Sequence, residues 1–224
     1  MRLNIYGDIV PNDDAWIYDY LEMECSCPAR VTAALEEAGG QPIDVYINSG
    51  GGDIFAGSAI YSAIRSYTGK VTLHVTGLAA SAASVIACAG RCLMSPTAMM
   101  MVHNVSGSFA GDCHDMDKAA EVLRNANASI AAAYVAKTGM TEDQALALMD
   151  KETWLTAAQA VTHKLADAVE EPAAQPTKMA ASMGMALSDE TKQRIRDTVK
   201  SPAERKAQAE IDILRLRGAQ HETV

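Results

Sequence analysis

With 224 residues, 49% of them hydrophobic and 21% charged, the chain is long enough for one well-buried domain with extras and too apolar for wholesale disorder. Its net charge of −9 is unevenly spread: residues 1–170 hold 10 Lys/Arg against 20 Asp/Glu, whereas 171–224 hold 9 against 8. An acidic body repels phosphate backbones and so excludes nucleic acid as a natural partner.

The opening MRLNIYGDIV lacks the uninterrupted apolar run of a secretory leader, and nowhere do about 18 apolar residues follow one another. The expectation is a soluble, cytoplasmic chain with no membrane partner. A strand is predicted over 3–6. Cys25 and Cys27 follow in C-x-C spacing, and further on Cys88 and Cys92 in C-x3-C. Neither matches the usual zinc knuckle, and five cysteines, an odd number, fit reduced thiols; no metal and no other cofactor is expected.

A helix is predicted over 28–37, with Pro28 at its first position and Gly39 and Gly40 behind it. Next come a strand over 45–48, the loop Asn48-Ser49-Gly50-Gly51-Gly52-Asp53 and a helix over 54–66. Three glycines let the backbone turn sharply and point N–H groups at an acceptor, either an oxyanion or a phosphate. Neither the Walker spacing nor G-x-G-x-x-G is present, so nucleotide binding is unsupported.

A strand over 71–76 leads into Gly77-Leu78-Ala79-Ala80-Ser81-Ala82-Ala83-Ser84 and a helix over 81–89. A serine at such a junction sits beside unpaired N–H groups and the positive helix end, which can stabilise an oxyanion. The same residue is also an ordinary N-cap. Strands over 92–95 and 99–103 then end on His103, which is followed by the adaptable Ser106-Gly107-Ser108. That setting suits a general base at neutral pH. Of the other histidines, His74, His114, His163 and His221, none has comparable surroundings.

Helices are predicted over 114–137, rich in alanine, and over 142–150. Asp150 and Glu152 follow, and in an extended segment both would point to one face, so spacing alone leaves the choice of acid open. Alternation of short strands with helices through residue 168 defines an α/β class with mostly parallel pairing. After Glu170 the sequence turns to Pro and Ala without apolar period, a linker over 171–187. A helical tail is expected over 188–224, with a capping box at Ser201-Pro202-Ala203-Glu204 and an apolar line through Ile211 and Leu214 that suits docking.

GLAASAAS, NSGGGD, MMMVHN and ETWLTAAQAV…LAD, in this order, resemble the nucleophile, glycine, histidine and acid segments of the Clp protease proteolytic subunit (ClpP) family. The likeness runs from about residue 3 to 169, and its wording is similar to the Clp-like head maturation proteases of tailed phages and prophages. The resemblance implies a spiral of β-β-α units, shared with crotonase-like enzymes, and a projecting helical handle over 114–138. It implies a serine endopeptidase with Ser81 as nucleophile, His103 as base, and Glu152 as acid where the family usually has Asp. By the same likeness the N–H groups of Gly52 and Ala82 form the oxyanion hole. Gly51, Ser106, Gly107 and Ser108 border a substrate bound as an added strand.

The resemblance further implies a homo-oligomeric ring acting on polypeptides, here scaffold or capsid proteins in the host cytoplasm or inside an assembling shell. Met1 stands two residues before the first strand, where the family has its axial loops, so a Clp ATPase is not expected as partner. Three alternatives remain open at this point: a general Clp subunit working with an ATPase, an acyl-CoA enzyme of the crotonase type, and a non-catalytic capsid-assembly component.

Overall fold

The computed structural model describes residues 1–170 and 187–198. Eight strands form one sheet: β1 (Arg2–Ile9), β2 (Cys25–Ser26), β3 (Ile43–Gly52), β4 (Val71–Ala80), β5 (Arg91–Met94), β6 (Met99–Val102), β7 (Thr153–Thr156) and β8 (Ala168–Val169). Their order is β2-β1-β3-β4-β5-β8, with β6 paired to β4 and to β7. Every pairing is parallel except β6 with β7. Strict alternation along β3 buries Ile43, Val45, Ile47 and Ser49 and turns Asp44 and Tyr46 outward, so one sheet face carries the core and the other is polar.

The helices are α1 (Ala15–Tyr20), α2 (Pro28–Ala38), α3 (Ile54–Ser66), α4 (Ala82–Ala87), α5 (Cys113–Thr138), α6 (Glu142–Asp150), α7 (Ala157–Thr162) and α8 (Asp189–Thr198). Their ends follow local chemistry. Pro28 opens α2 and Gly39, at φ 55°, closes it in the left-handed conformation that a side chain would resist. Capping boxes start α5 at Asp112, α6 at Thr141 and α7 at Thr156, each cap contributing about 1 kcal/mol. Ile60 and Ile64 of α3, Val85 and Ile86 of α4, and Ile130, Ala131 and Tyr134 of α5 meet Val45, Ile47, Leu73 and Val75 in one core.

Predicted helices over 54–66 and 142–150 coincide with α3 and α6, and the handle expected over 114–138 is the 26-residue α5. One expectation needs correction. The glycines of NSGGGD are not a free loop, because β3 runs on through Gly52 in register with Asp8 and Ile9 of β1. Leu187 packs with Ile195 of α8 against Val10, Ala15, Ile17, Tyr18 and Cys27. Arg196 and, at 3.8 Å, Lys192 meet the buried Asp14. The capping box expected at Ser201 to Glu204 and the Ile211 and Leu214 line lie outside the described residues, as do 171–186.

Candidate active site

β4 pairs with two neighbours in succession, and this fork builds the site. Its first half runs beside β5, and Leu78, Ala79 and Ala80 then align with Met99, Met100 and Met101 of β6. One residue later the Ser81 N–H donates to Met101 O at 2.9 Å. The chain turns there into α4, and His103 follows two residues after Met101. Ser81 Oγ and His103 Nε2 therefore meet at 2.7 Å.

Ser81 reaches this contact in a strained backbone conformation, φ 54° and ψ −125°, and its hydroxyl makes no cap bond to the helix. Such a conformation costs about 1–3 kcal/mol and persists only where the surroundings over-determine it. They do so here: Ser81 O accepts from Ser84 Oγ at 2.6 Å and from Ser84 N at 2.9 Å. Ser84 Oγ is in turn 2.8 Å from Tyr134 OH of α5. Burial pushes the Tyr134 phenol above its ordinary value, so it stays a neutral hydrogen-bonding partner.

The glycine segment lies against the nucleophile. A Cβ on Gly51 would stand 2.7 Å from both Ala80 O and Ser81 Cβ, and one on Gly52 would stand 2.2 Å from Ile9 O. Gly51 is at φ 101° and Gly52 at φ 141°. Ser49, 2% exposed, donates to Gly7 O at 2.6 Å and accepts from Gly51 N at 3.1 Å, which uses the Gly51 N–H. Asn48 fills the bulge between β3 and β4: its Oδ1 accepts from Leu78 N at 3.1 Å, beside Gly77, where a Cβ would come within 2.5 Å of it. Ala82 opens α4 directly after Ser81, so its N–H has no intrahelical partner.

The two acids are arranged differently. Asp150 Oδ1 accepts from Asn104 Nδ2 at 2.8 Å. Glu152 Oε1 accepts from Trp154 Nε1 at 3.3 Å. Among the described residues neither carboxylate is hydrogen-bonded to His103. The β6/β7 ladder ends with Val102 opposite Thr153, one residue short of His103 and of Glu152, which sits in a turn at φ 46°. Ser106, Gly107 and Ser108 are exposed and belong to no helix or strand, while Val105 N is held by Asn127 Oδ1 of α5 at 2.7 Å.

Sequence reasoning passed over Asn48, Ser49, Ser84, Tyr134 and Asn127. One signal was available, since Tyr134 is the single aromatic residue in an otherwise alanine-rich helix. Other reactive side chains are engaged elsewhere. Both ring nitrogens of His74 face carboxylates, Nδ1 that of Glu170 and Nε2 that of Asp44 at 3.2 Å. Burial pushes the Cys92 thiol up to about 12 and the Cys88 thiol higher still, which keeps both protonated and unreactive. Among the described residues there is no group of His, Cys, Asp or Glu able to hold a metal, and no helix is long and apolar enough to cross a membrane.

Fold and site together define an α/β protein with a serine–imidazole pair at a strand-to-helix junction beside a glycine strand. The Clp protease family profile matches residues 21–173, and the chain belongs to that family. It is 36% identical over 135 residues to ATP-dependent Clp protease proteolytic subunit 1 of Chlamydia muridarum, covering 58% of this chain and 70% of that protein. The protein of the same name from Leifsonia xyli is 30% identical over 148 residues, covering 65% and 75%. Among solved structures, a single-substitution variant of ClpP1 from Listeria monocytogenes superposes with a TM-score of 0.63 at 23% identity, covering 76% of this chain and 91% of that one. That likeness bears on the fold.

Proposed function

We propose that the chain is a serine endopeptidase of the Clp type. The observation that carries the reading is the 2.7 Å contact between Ser81 Oγ and His103 Nε2, made by a serine in a strained backbone conformation. In this reading Ser81 attacks the scissile carbonyl while His103 takes its proton and later delivers it to the leaving amine. Water then repeats the sequence on the acyl-enzyme. The oxyanion is received by the N–H of Ala82 and by that of Gly52, since Ser49 already occupies the N–H of Gly51. A substrate strand adds to the unpaired, exposed segment at Ser106, Gly107 and Ser108, with Gly51 leaving room for its backbone.

Glu152 is the acid in this reading. The β6/β7 ladder ends one residue short of it and of His103, and Asp150 is already engaged by Asn104. A fluorophosphonate labelling the wild type at Ser81, and failing on His103→Ala, supports the peptidase and counts against a crotonase-type enzyme or a non-catalytic component. Glu152→Gln should lower kcat on the order of 10⁴-fold, far more than Asp150→Asn. The reverse ranking would shift the acid by two residues.

Two substrate settings follow. Curated relatives are named as ATP-dependent subunits, which favours a general Clp protease subunit in a homo-oligomeric ring served by an ATPase. The wording of GLAASAAS and ETWLTAAQAV favours ATP-independent processing of scaffold or capsid proteins during phage head maturation. Casein digestion with and without a Clp ATPase and ATP separates them. Strong stimulation selects the first, and equal rates select the second.

A further inference from the structure

Opposite residues of an antiparallel pair share a face, and every second residue returns to it. On the β6/β7 ladder Met101 stands opposite Trp154 and Val102 opposite Thr153, so Trp154 and Met101 share a face, with His103 two residues after Met101 and Glu152 two residues before Trp154. The His103 imidazole meets Ser81 through Nε2, which leaves Nδ1 for an acid. Trp154 is 41% exposed, and its indole N–H donates to Glu152 Oε1 at 3.3 Å. An indole nitrogen can only donate, so the contact occupies one oxygen of the carboxyl group.

Glu152 itself is fixed at the backbone. It sits at φ 46°, in the left-handed region, and its N–H donates to Met149 O at 3.0 Å at the end of α6. Only its side-chain torsions remain to be set. A glutamate has one more of them than an aspartate, so a carboxylate presented on this longer arm loses more rotamer freedom when it is aimed at a partner. A second point of attachment reduces that cost.

We propose that Trp154 is this attachment: a positioning residue whose N–H holds Oε1 of Glu152 and leaves Oε2 to accept from His103 Nδ1. The inference rests on the reading of Glu152 as the acid. The competing carboxylate, Asp150, accepts from Asn104 Nδ2 at 2.8 Å.

The test uses the full chain, a short fluorogenic peptide for kcat and KM, and the rate of fluorophosphonate labelling at Ser81 as a readout independent of that peptide. Trp154→Phe keeps the aromatic bulk and deletes the donor. It should lower kcat and the labelling rate on the order of ten-fold, the size of a lost hydrogen bond to a charged group, with KM nearly unchanged. Trp154→His, which retains a ring N–H, should recover part of the loss. In a Glu152→Gln background Trp154→Phe should have almost no further effect, because its action passes through the carboxylate. Wild-type kcat in Trp154→Phe, a rise in kcat, or an equal drop in both backgrounds would overturn the proposal. If Glu152→Gln alone leaves kcat intact, the assignment of the acid fails and the role of Trp154 fails with it.

Discussion

Ser84 Oγ lies 2.8 Å from Tyr134 OH, and this buried bond ties the helix that starts on the nucleophile to the long handle helix. Tyr134 is 2% exposed and Ser84 0%, so water cannot replace either partner. Ser84 also donates to Ser81 O at 2.6 Å, which makes the pair a brace for the strained turn rather than a remote packing contact.

Tyr134→Phe removes the phenol oxygen and leaves the ring in place. Because Ser84 keeps its bond to Ser81 O, the loss should stay near the ordinary value of about 1 kcal/mol, read as a lower urea midpoint with unchanged slope. Tyr134→Ala should cost about 3–5 kcal/mol through the cavity it opens. Equal losses in the two variants would mean that the hydroxyl, and not the ring, dominates.

Ser81→Ala and His103→Ala should each reduce peptide hydrolysis on the order of 10⁶-fold while the fold is kept. Ser81→Gly should be equally inactive yet more stable than Ser81→Ala, by about 1 kcal/mol, because glycine relieves the cost of φ 54°. Thermal melts of the two inactive variants, compared at one pH, read the strain directly.

At Gly51 and Gly52 space and backbone conformation act together. Gly51→Ala would press a methyl to within 2.7 Å of Ser81 Cβ, and Gly52→Ala to within 2.2 Å of Ile9 O. Both should cut kcat at least about 100-fold by displacing the N–H donors, the scale of a lost oxyanion contact. Gly52→Ala should also destabilise the chain more, since its clash with the Ile9 backbone is the closer, 2.2 Å against 2.7 Å at Ala80 O. Near-normal turnover in Gly52→Ala would remove that N–H from the oxyanion hole.

Lys137 Nζ reaches Asp167 Oδ2 at 2.5 Å and Gly90 O at 2.8 Å, pinning the end of α5 to the segment before β8. Burial pushes the Asp167 carboxyl up, but the Lys137 ammonium and the Cys92 N–H outweigh it and hold the group below its usual range. Its stabilising effect is therefore complete above the unfolded carboxylate pKa of about 3.9 and is lost as pH falls through the lower folded value. The melting temperature of wild type should exceed that of Asp167→Asn at neutral pH, and the gap should narrow below about pH 4. A gap that does not change with acidification would refute the clasp.

The elements that were legible beforehand are those whose signals are local. Helix α3 begins after Asp53, whose Oδ1 caps Ala56 N at 2.7 Å, and α6 begins after the capping box of Thr141 with Gln144. The caps and the apolar period lie within one or two turns of sequence, so both helices were readable to the residue. Ser81 and His103 were singled out because each ends a strand beside small residues. The four-residue β7 was missed, and so were β2 and β8, of two residues each: strands of two residues exist only through the neighbour they pair with.

Residue types and their order along the chain determined by themselves the α/β class, the glycine, serine and histidine segments and the acidic body. The contacts between those segments were decided only in three dimensions. Asp150 and Glu152 are indistinguishable by spacing, and only the folded chain separates their partners, giving Asp150 to Asn104 and Glu152 to Trp154. Register depends on which strands meet across the sheet, and no local pattern in the chain encodes that pairing. Ser84 and Tyr134, fifty positions apart, become partners for the same reason, because the packing of α5 on α4 brings two buried hydroxyl groups to the one place where each can satisfy the other.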